Sequence, residues 1–217
     1  MFTGIVEEVG TVRHVVRGTR SCALTIAART VLEGTRVGDS INTNGVCLTV
    51  TSLEQDAFTA DVMPQTLSKS NLSALSSGDP VDLERAMPAD GRFGGHLVTG
   101  HIDGTGTVAS RREDDNAIRM RIHTSPALTR LMVDQGSVAV DGISLTLTRV
   151  EDAAFEVSLI PHTAQRTILV GKRVGDTVNI ECDLVGKYVQ RLLKVPRESS
   201  SREEGGITMA FLEKHGF

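Results

Sequence analysis

The stretch LVTGHIDGTGTV at residues 97–108 reads against MFTGIVEEVGTV at residues 1–12, and this pairing decides the architecture. Gly4 falls on Gly100, Gly10 on Gly106 and Val12 on Val108. Three further blocks follow in the same order. NGVCLTVT from Asn44 matches DGISLTLT from Asp141, AFTADVMPQT from Ala57 matches AFEVSLIPHT from Ala154, and GDPVDLE from Gly78 matches GDTVNIE from Gly175. The offset stays at roughly 97 residues, the mark of an internal duplication. One block could arise by chance between two β-rich segments; four in order could not.

Within each copy the signals are for strands. Runs of β-branched residues are short and punctuated by Gly, Asp and Asn, with little helical periodicity. Asn44-Gly45 and Asp141-Gly142 tolerate the positive φ angles of a tight hairpin turn. Many short, evenly spaced strands imply a small antiparallel barrel or sandwich. TVLEGTRVGD from Thr30 and SPALTRLMVDQG from Ser125 can each carry a helical turn or two. Phe2 is expected to open the first strand.

The two copies meet at GRFGGH, residues 91–96, a short linker where glycines permit a sharp change of direction and whose two sides are expected to continue directly into strands. The expected units are residues 1–95, residues 96–184, and a tail at residues 185–217. In that tail Val185, Tyr188, Val189, Leu192 and Leu193 follow the spacing of an amphipathic helix. Its apolar stripe either contacts another subunit or packs on its own barrel. Pro196 is expected to stop it, RESSSREEGG to act as a mobile tether, and ITMAFLEKHGF to form a brief terminal helix.

Composition narrows the function. A chain of 217 residues holds one large domain or two small ones. Its net charge of −4 offers no electrostatic footprint for nucleic acid or an anionic membrane. MFTGIVEEVG lacks the basic and apolar regions of a signal peptide, and no apolar run is long enough to span a bilayer. Cys22, Cys47 and Cys182 are odd in number and include no CxxC pair, which points to reduced thiols in the cytoplasm rather than disulfides or a zinc site. With no Trp and one Tyr, a pocket for a flat heterocycle must be lined by aliphatic and hydroxyl-bearing side chains.

Strand alternation puts Val46, Leu48 and Val50 on one face and Cys47, Thr49 and Thr51 on the other. The second copy repeats this with Ile143, Leu145 and Leu147 against Ser144, Thr146 and Thr148. The polar faces carry groups too small to fill a barrel, so they face solvent or line a ligand cavity. Their recurrence in both copies favours the cavity. His96 and His101, five apart on one strand, would point to opposite faces and not share a metal. His101 stands where the first copy has Ile5, and Ser144 where it has Cys47, so two related pockets with divided roles are expected.

MFTGIVEEVG, NGVCLTV, GGHLVTGHIDGTG, DGISLTL, LIPHT and VGDTVNIECDLVGKYVQRLL together resemble the riboflavin synthase family, over essentially the whole chain. The resemblance implies an all-β protein of two tandem six-stranded antiparallel Greek-key barrels plus a C-terminal helix, assembled as a homotrimer. It implies a cytoplasmic transferase that dismutates two molecules of 6,7-dimethyl-8-ribityllumazine, one giving a four-carbon unit to the other. The products are riboflavin and a ribitylamino-pyrimidinedione. No metal or cofactor is implied, because one substrate is oxidised as the other is reduced; association with lumazine synthase is a further expectation.

The same resemblance assigns ligand contacts in the first barrel to Gly4, Ile5 and Val6, Cys47, Leu48 and Thr49, and Asp61, Val62, Met63, Pro64, Gln65 and Thr66. In the second it assigns them to Gly100, His101 and Ile102, Ser144, Leu145 and Thr146, and Ile160, Pro161, His162, Thr163, Ala164 and Gln165. His101, Ser144 and Thr146 are expected to move protons and polarise substrate, and Cys47 to activate or position it. Phe2, Ser40 and Asp183 match positions also tied to activity. Gln135 stands where many members carry Lys, which removes a partner for an anionic intermediate or a ribityl chain. Two alternatives share these residues: a lumazine- or flavin-binding protein without turnover, and a paralogue acting on a modified lumazine.

Overall fold

The computed structural model describes residues 1–194 and 209–216. The first copy supplies β1 (Glu8–Arg17), β2 (Cys22–Ala27), β3 (Ser40–Thr43), β4 (Val46–Leu53), β5 (Ala57–Val62) and β6 (Pro80–Arg85). They close into an antiparallel barrel in the order β1-β2-β5-β4-β3-β6. The second copy supplies β7 (Gly104–Asp114), β8 (Ala117–His123), β9 (Ser137–Val140), β10 (Ile143–Glu151), β11 (Ala154–Leu159) and β12 (Thr177–Cys182), closed in the same cyclic order. Pairing β2 with β5 across the β3–β4 hairpin is the Greek-key step. The register slips at matching places, between Val12 and His14 and between Val108 and Ser110. Such bulges bend a strand around a small barrel.

Each barrel has its own core. Phe58 and Phe155, at matched positions, are both fully buried, and each contributes about 1.5–3 kcal/mol through apolar burial. The helical turns expected near Thr30 and Ser125 are present, as a 3-10 turn at Thr30–Leu32 and as α2 (Pro126–Thr129). Two more helices, α1 (Pro64–Lys69) and α3 (Pro161–Arg166), follow β5 and β11. Each starts on a proline, whose fixed φ and missing N–H suit a first helical turn.

Three expectations about the connection between the copies are corrected. Phe2 does not open a strand; it makes one antiparallel bridge to Val98, and β1 begins at Glu8. The linker does not run directly from strand to strand, since β6 ends at Arg85 and β7 begins at Gly104. His96 and His101 share no strand. One cause underlies all three: residues 2–6 and 98–102 serve as arms that cross between the barrels. Val6 packs on the second barrel's core, and Ile102 on the first's.

Where the barrels meet, the two hairpin turns touch. A Cβ added to Gly45 would lie 2.8 Å from the Gly142 backbone nitrogen, and both glycines have φ of 85°. Asn179 donates its amide to the Asn44 carbonyl at 2.7 Å, and Asp82 accepts from the Ile168 N–H at 2.9 Å. Burial holds the Asp82 carboxyl well above the usual range, and the nearby Asp141 adds to this.

Helix α4 (Leu184–Lys194) leaves the second barrel with Lys187 Nζ 2.6 Å from Asp103. Its apolar stripe does not pack on its own barrel: Tyr188 is 64% exposed, Leu192 71% and Leu193 81%. The expected stop at Pro196 and tether at 197–206 lie outside the described residues, whereas α5 (Met209–Lys214) forms the short terminal helix. Among the described residues no helix is long and apolar enough to cross a membrane.

Two candidate ligand pockets between the barrels

Val46, Leu48 and Val50 are buried in the first barrel, and Ile143, Leu145 and Leu147 in the second. Leu48 and Leu145 therefore spend their side chains on the cores. Cys47 and Ser144 face outward but are half-buried, because the arms lie over them, while Thr49 and Thr146 are exposed. The Cys47 N–H donates to the Gly100 carbonyl at 2.9 Å, and the Ser144 N–H to the Gly4 carbonyl at 2.8 Å. A Cβ on Gly4 would fall 2.6 Å from Ser144 Cβ, and one on Gly100 2.5 Å from Cys47 Cβ. Both positions also have positive φ, so glycine is required twice over.

The resemblance groups residues 4–6 with Cys47 and residues 100–102 with Ser144, whereas the backbone contacts pair them the other way. The arms exchange them. Gly4 abuts Ser144 of the second barrel, and Gly100 abuts Cys47 of the first.

The pocket beside Cys47 is a cavity of about 250 Å³ lined by Val46, Cys47, Gln65, Thr66, Lys69, Gly100, His101 and Ile102. Gln65 and Thr66 arrive on α1. Of the residues before it, Val62 is buried in the core while Asp61 and Met63 are exposed. Pro64, half-buried, begins α1. His101 is exposed, and its backbone N–H is held by Glu181 at 3.2 Å. Lys69 was not foreseen; it is reached only because α1 brings its last turn to the cavity, and no strand pattern signals that.

In the second copy α3 follows β11 as α1 follows β5, and carries Pro161, His162, Thr163, Ala164 and Gln165 after Ile160. Ala164 is buried, Thr163 half-buried, and the other four are exposed. Here a histidine that the sequence left without a role joins the site. His96 Nδ1 lies 2.7 Å from Ser144 Oγ, and its Nε2 is buried with no partner among the described residues. Burial pulls the His96 pKa down, against the opposing charges of Asp183 and Glu181. His96 thus stands beside Ser144, and His101 beside the Cys47 cavity. Asp183 heads α4, its carboxylate accepting the Val185 N–H at 2.9 Å.

The remaining candidates are more dispersed. Phe2 is fully buried and packs with Val98, Ala139 and Cys47, behind the wall rather than on it. Ser40 opens into a separate cavity of about 720 Å³ with Thr3, Ile5, Arg85 and Gly94. Gln135 is an exposed turn residue at φ 64°, its N–H donating to Leu147, where the first copy has Gly38 at φ 97°.

Two closed Greek-key barrels, each with an arm of the other copy laid on its outward strand face and with a cavity beside Cys47, define a tandem ligand-binding chain. A model of the lumazine binding domain matches it twice, at residues 3–86 and 99–183. Riboflavin synthase of Actinobacillus pleuropneumoniae is 48% identical over 218 residues, with all of both chains covered. Riboflavin synthase of Bacillus subtilis (strain 168) is 46% identical over 217 residues, again with all of both covered. A crystal structure of LumP with 6,7-dimethyl-8-(1'-D-ribityl) lumazine superposes with a TM-score of 0.76 at 23% identity, covering 84% of this chain and 99% of that one. LumP with riboflavin gives 0.78 at 24%, with the same coverage; both show the shared fold. The chain belongs to the riboflavin synthase family.

Proposed function

We propose that this chain makes riboflavin by dismutating two molecules of 6,7-dimethyl-8-ribityllumazine, with the pyrimidinedione as co-product. The chain is an enzyme, a transferase. The observation that carries the reading is the repeated junction in which one barrel's strand meets the other copy's arm, at Cys47 and at Ser144. Two copies of one substrate in opposed orientations need two related sites, and holding them together supplies much of the rate. A cavity of about 250 Å³ is small even for one ligand of this size, so two reactants do not share it.

In this reading Ser144 and Thr146 polarise substrate in one pocket, and His101 and Cys47 act in the other. His96 is paired with Ser144 Oγ at 2.7 Å, and burial favours its neutral form, so it can pass one proton through that hydroxyl. The reacting pair spans two subunits of a cytoplasmic homotrimer, with residues 1–95 and 96–184 as binding units and residues 185–217 as the assembling segment. The exposed stripe on α4 supports this arrangement. Association with lumazine synthase belongs to the same proposal.

Dialysed, chelator-treated protein is expected to convert dimethylribityllumazine to riboflavin and the pyrimidinedione in equal amounts, followed by absorbance and chromatography. Bound ligand without product favours a binding protein of the LumP kind, and dependence on an added nicotinamide, flavin or metal defeats the dismutation. A second expectation concerns Gln135. Its turn already accommodates a non-glycine residue at positive φ, so Gln135→Lys adds an ammonium without a new backbone demand. The variant is expected to turn over faster, or to need less substrate, in steady-state assays. No gain means that the position has been repacked.

A further inference from the structure

We infer that Glu84 and Glu181 are positioning residues, each setting the ligand-facing wall of the pocket on the opposite barrel. The inference rests on the proposed pair of lumazine pockets. The two glutamates end the matching blocks GDPVDLE and GDTVNIE, at equivalent places in β6 and β12. Alternation sends Val81 and Leu83, or Val178 and Ile180, inward, so the glutamates point away from the cores. An outward carboxylate normally meets water. These two are 6% and 1% exposed, because each is covered by its own copy's arm.

The contacts repeat almost atom for atom. Glu84 Oε1 accepts from the Thr3 N–H at 2.7 Å and the Thr3 hydroxyl at 2.8 Å, and Oε2 from the Gly4 N–H at 3.0 Å. Glu181 Oε1 accepts from the Thr99 N–H and hydroxyl, both at 2.7 Å. Its Oε2 accepts from Gly100 at 2.9 Å and His101 at 3.2 Å. All these donors belong to protein, so each carboxylate is occupied by the arm and neither is aimed at a ligand. They pair N–H groups that the arms, lying outside any strand, would otherwise bury unpaired.

The far side of each arm is fixed differently. Immediately past the clamped N–H groups, the Gly4 carbonyl accepts from Ser144 and the Gly100 carbonyl from Cys47. Each arm is therefore gripped on one edge by a glutamate of its own barrel and on the other by the strand of the opposite barrel. Glu84 sets where Gly4 and Ile5 stand before Ser144. Glu181 sets Gly100 and His101 before Cys47, and so the direction in which the His101 ring leaves the backbone. This division makes the two glutamates equivalent in geometry but separate in effect.

The test uses Glu84→Gln and Glu181→Gln in the full chain. Glutamine keeps the volume but turns one acceptor oxygen into an NH₂ facing backbone N–H groups. Segment-resolved hydrogen exchange of the ligand-free protein reads the arms. Binding of isotopically labelled riboflavin reads the pockets, with Ser144→Ala and Cys47→Ala assigning the two bound signals. Glu84→Gln is expected to speed exchange in residues 3–6 alone and to weaken the Ser144-side signal about tenfold, the size expected from losing hydrogen bonds to a charged group. Glu181→Gln should do the same to residues 99–102 and the Cys47-side signal. If either glutamine variant fails to fold, Thr3→Val and Thr99→Val, which remove only the hydroxyl bonds, should show smaller losses in the same pockets. Lower thermal stability with both pockets equally affected, unchanged binding in a folded variant, or loss in the pocket of the same barrel overturns the inference. Selective loss of flavin binding in a chain without turnover upholds it while defeating the synthase reading.

Discussion

Removal of residues 185–217 is expected to give a monomer that still binds riboflavin but turns over dimethylribityllumazine about a hundredfold more slowly, an effect of the size that loss of reactant prepositioning produces. The Cys47 cavity is built within one chain, from β4, an arm and α1, and Ser144 of β10 meets its arm within the same chain, so binding does not need the tail. What the tail carries is an apolar stripe that the described residues leave uncovered, with Val185, Tyr188, Leu192 and Leu193 each more than half exposed. Burying it between subunits is the natural way to bring a pocket of one chain against a pocket of another. Sedimentation, flavin titration and a turnover assay on one preparation separate the possibilities. A fully active monomer refutes the shared site.

Deletion of residues 1–3, or Phe2→Ala, is expected to abolish turnover and to lower stability by about 3–5 kcal/mol, the usual range for a buried phenylalanine. Phe2 is fully buried, bridges to Val98 by two backbone bonds and touches Cys47 and Ala139, so it pins both arms at once. Thr3, next to it, supplies two of the donors that Glu84 holds. Removal of the last three residues should leave both pockets intact. Chemical denaturation and steady-state kinetics on the two truncations make the comparison, and equal tolerance at both ends defeats this placement of Phe2.

The duplication, the strand alternation and the hairpin turns were legible because each leaves a local mark. NGVCLTVT and DGISLTLT carry the turn dipeptide and the in–out period within eight residues. The candidate residues Cys47 and Ser144 stood out for the same reason, as small polar groups on the outward face of a core strand. The partnership between Gly4 and Ser144 was not legible. It joins opposite halves of the chain, and a repeat pairs residues with their own copy by default. His96 escaped for a related reason. A single histidine in a glycine-rich joint carries no periodicity, and its partner Ser144 lies 48 positions away. Glu84 and Glu181 sat in plain view at the end of a repeated block, but an outward strand glutamate ordinarily reads as a solvated charge.

The crossing of the arms also orders events during synthesis. Chains emerge amino end first, so all six strands of the first barrel leave the ribosome before residues 98–102 emerge to cover Cys47. Meanwhile residues 2–6 have no β10 to lie on, and Val6 has no core to enter. The first half must therefore wait, nearly formed but with an open flank, until its sibling is translated. The second half meets the opposite situation, since a waiting arm is at hand when β10 appears. Duplication within a single chain thus ensures that each nascent half meets its own complement before a stranger's.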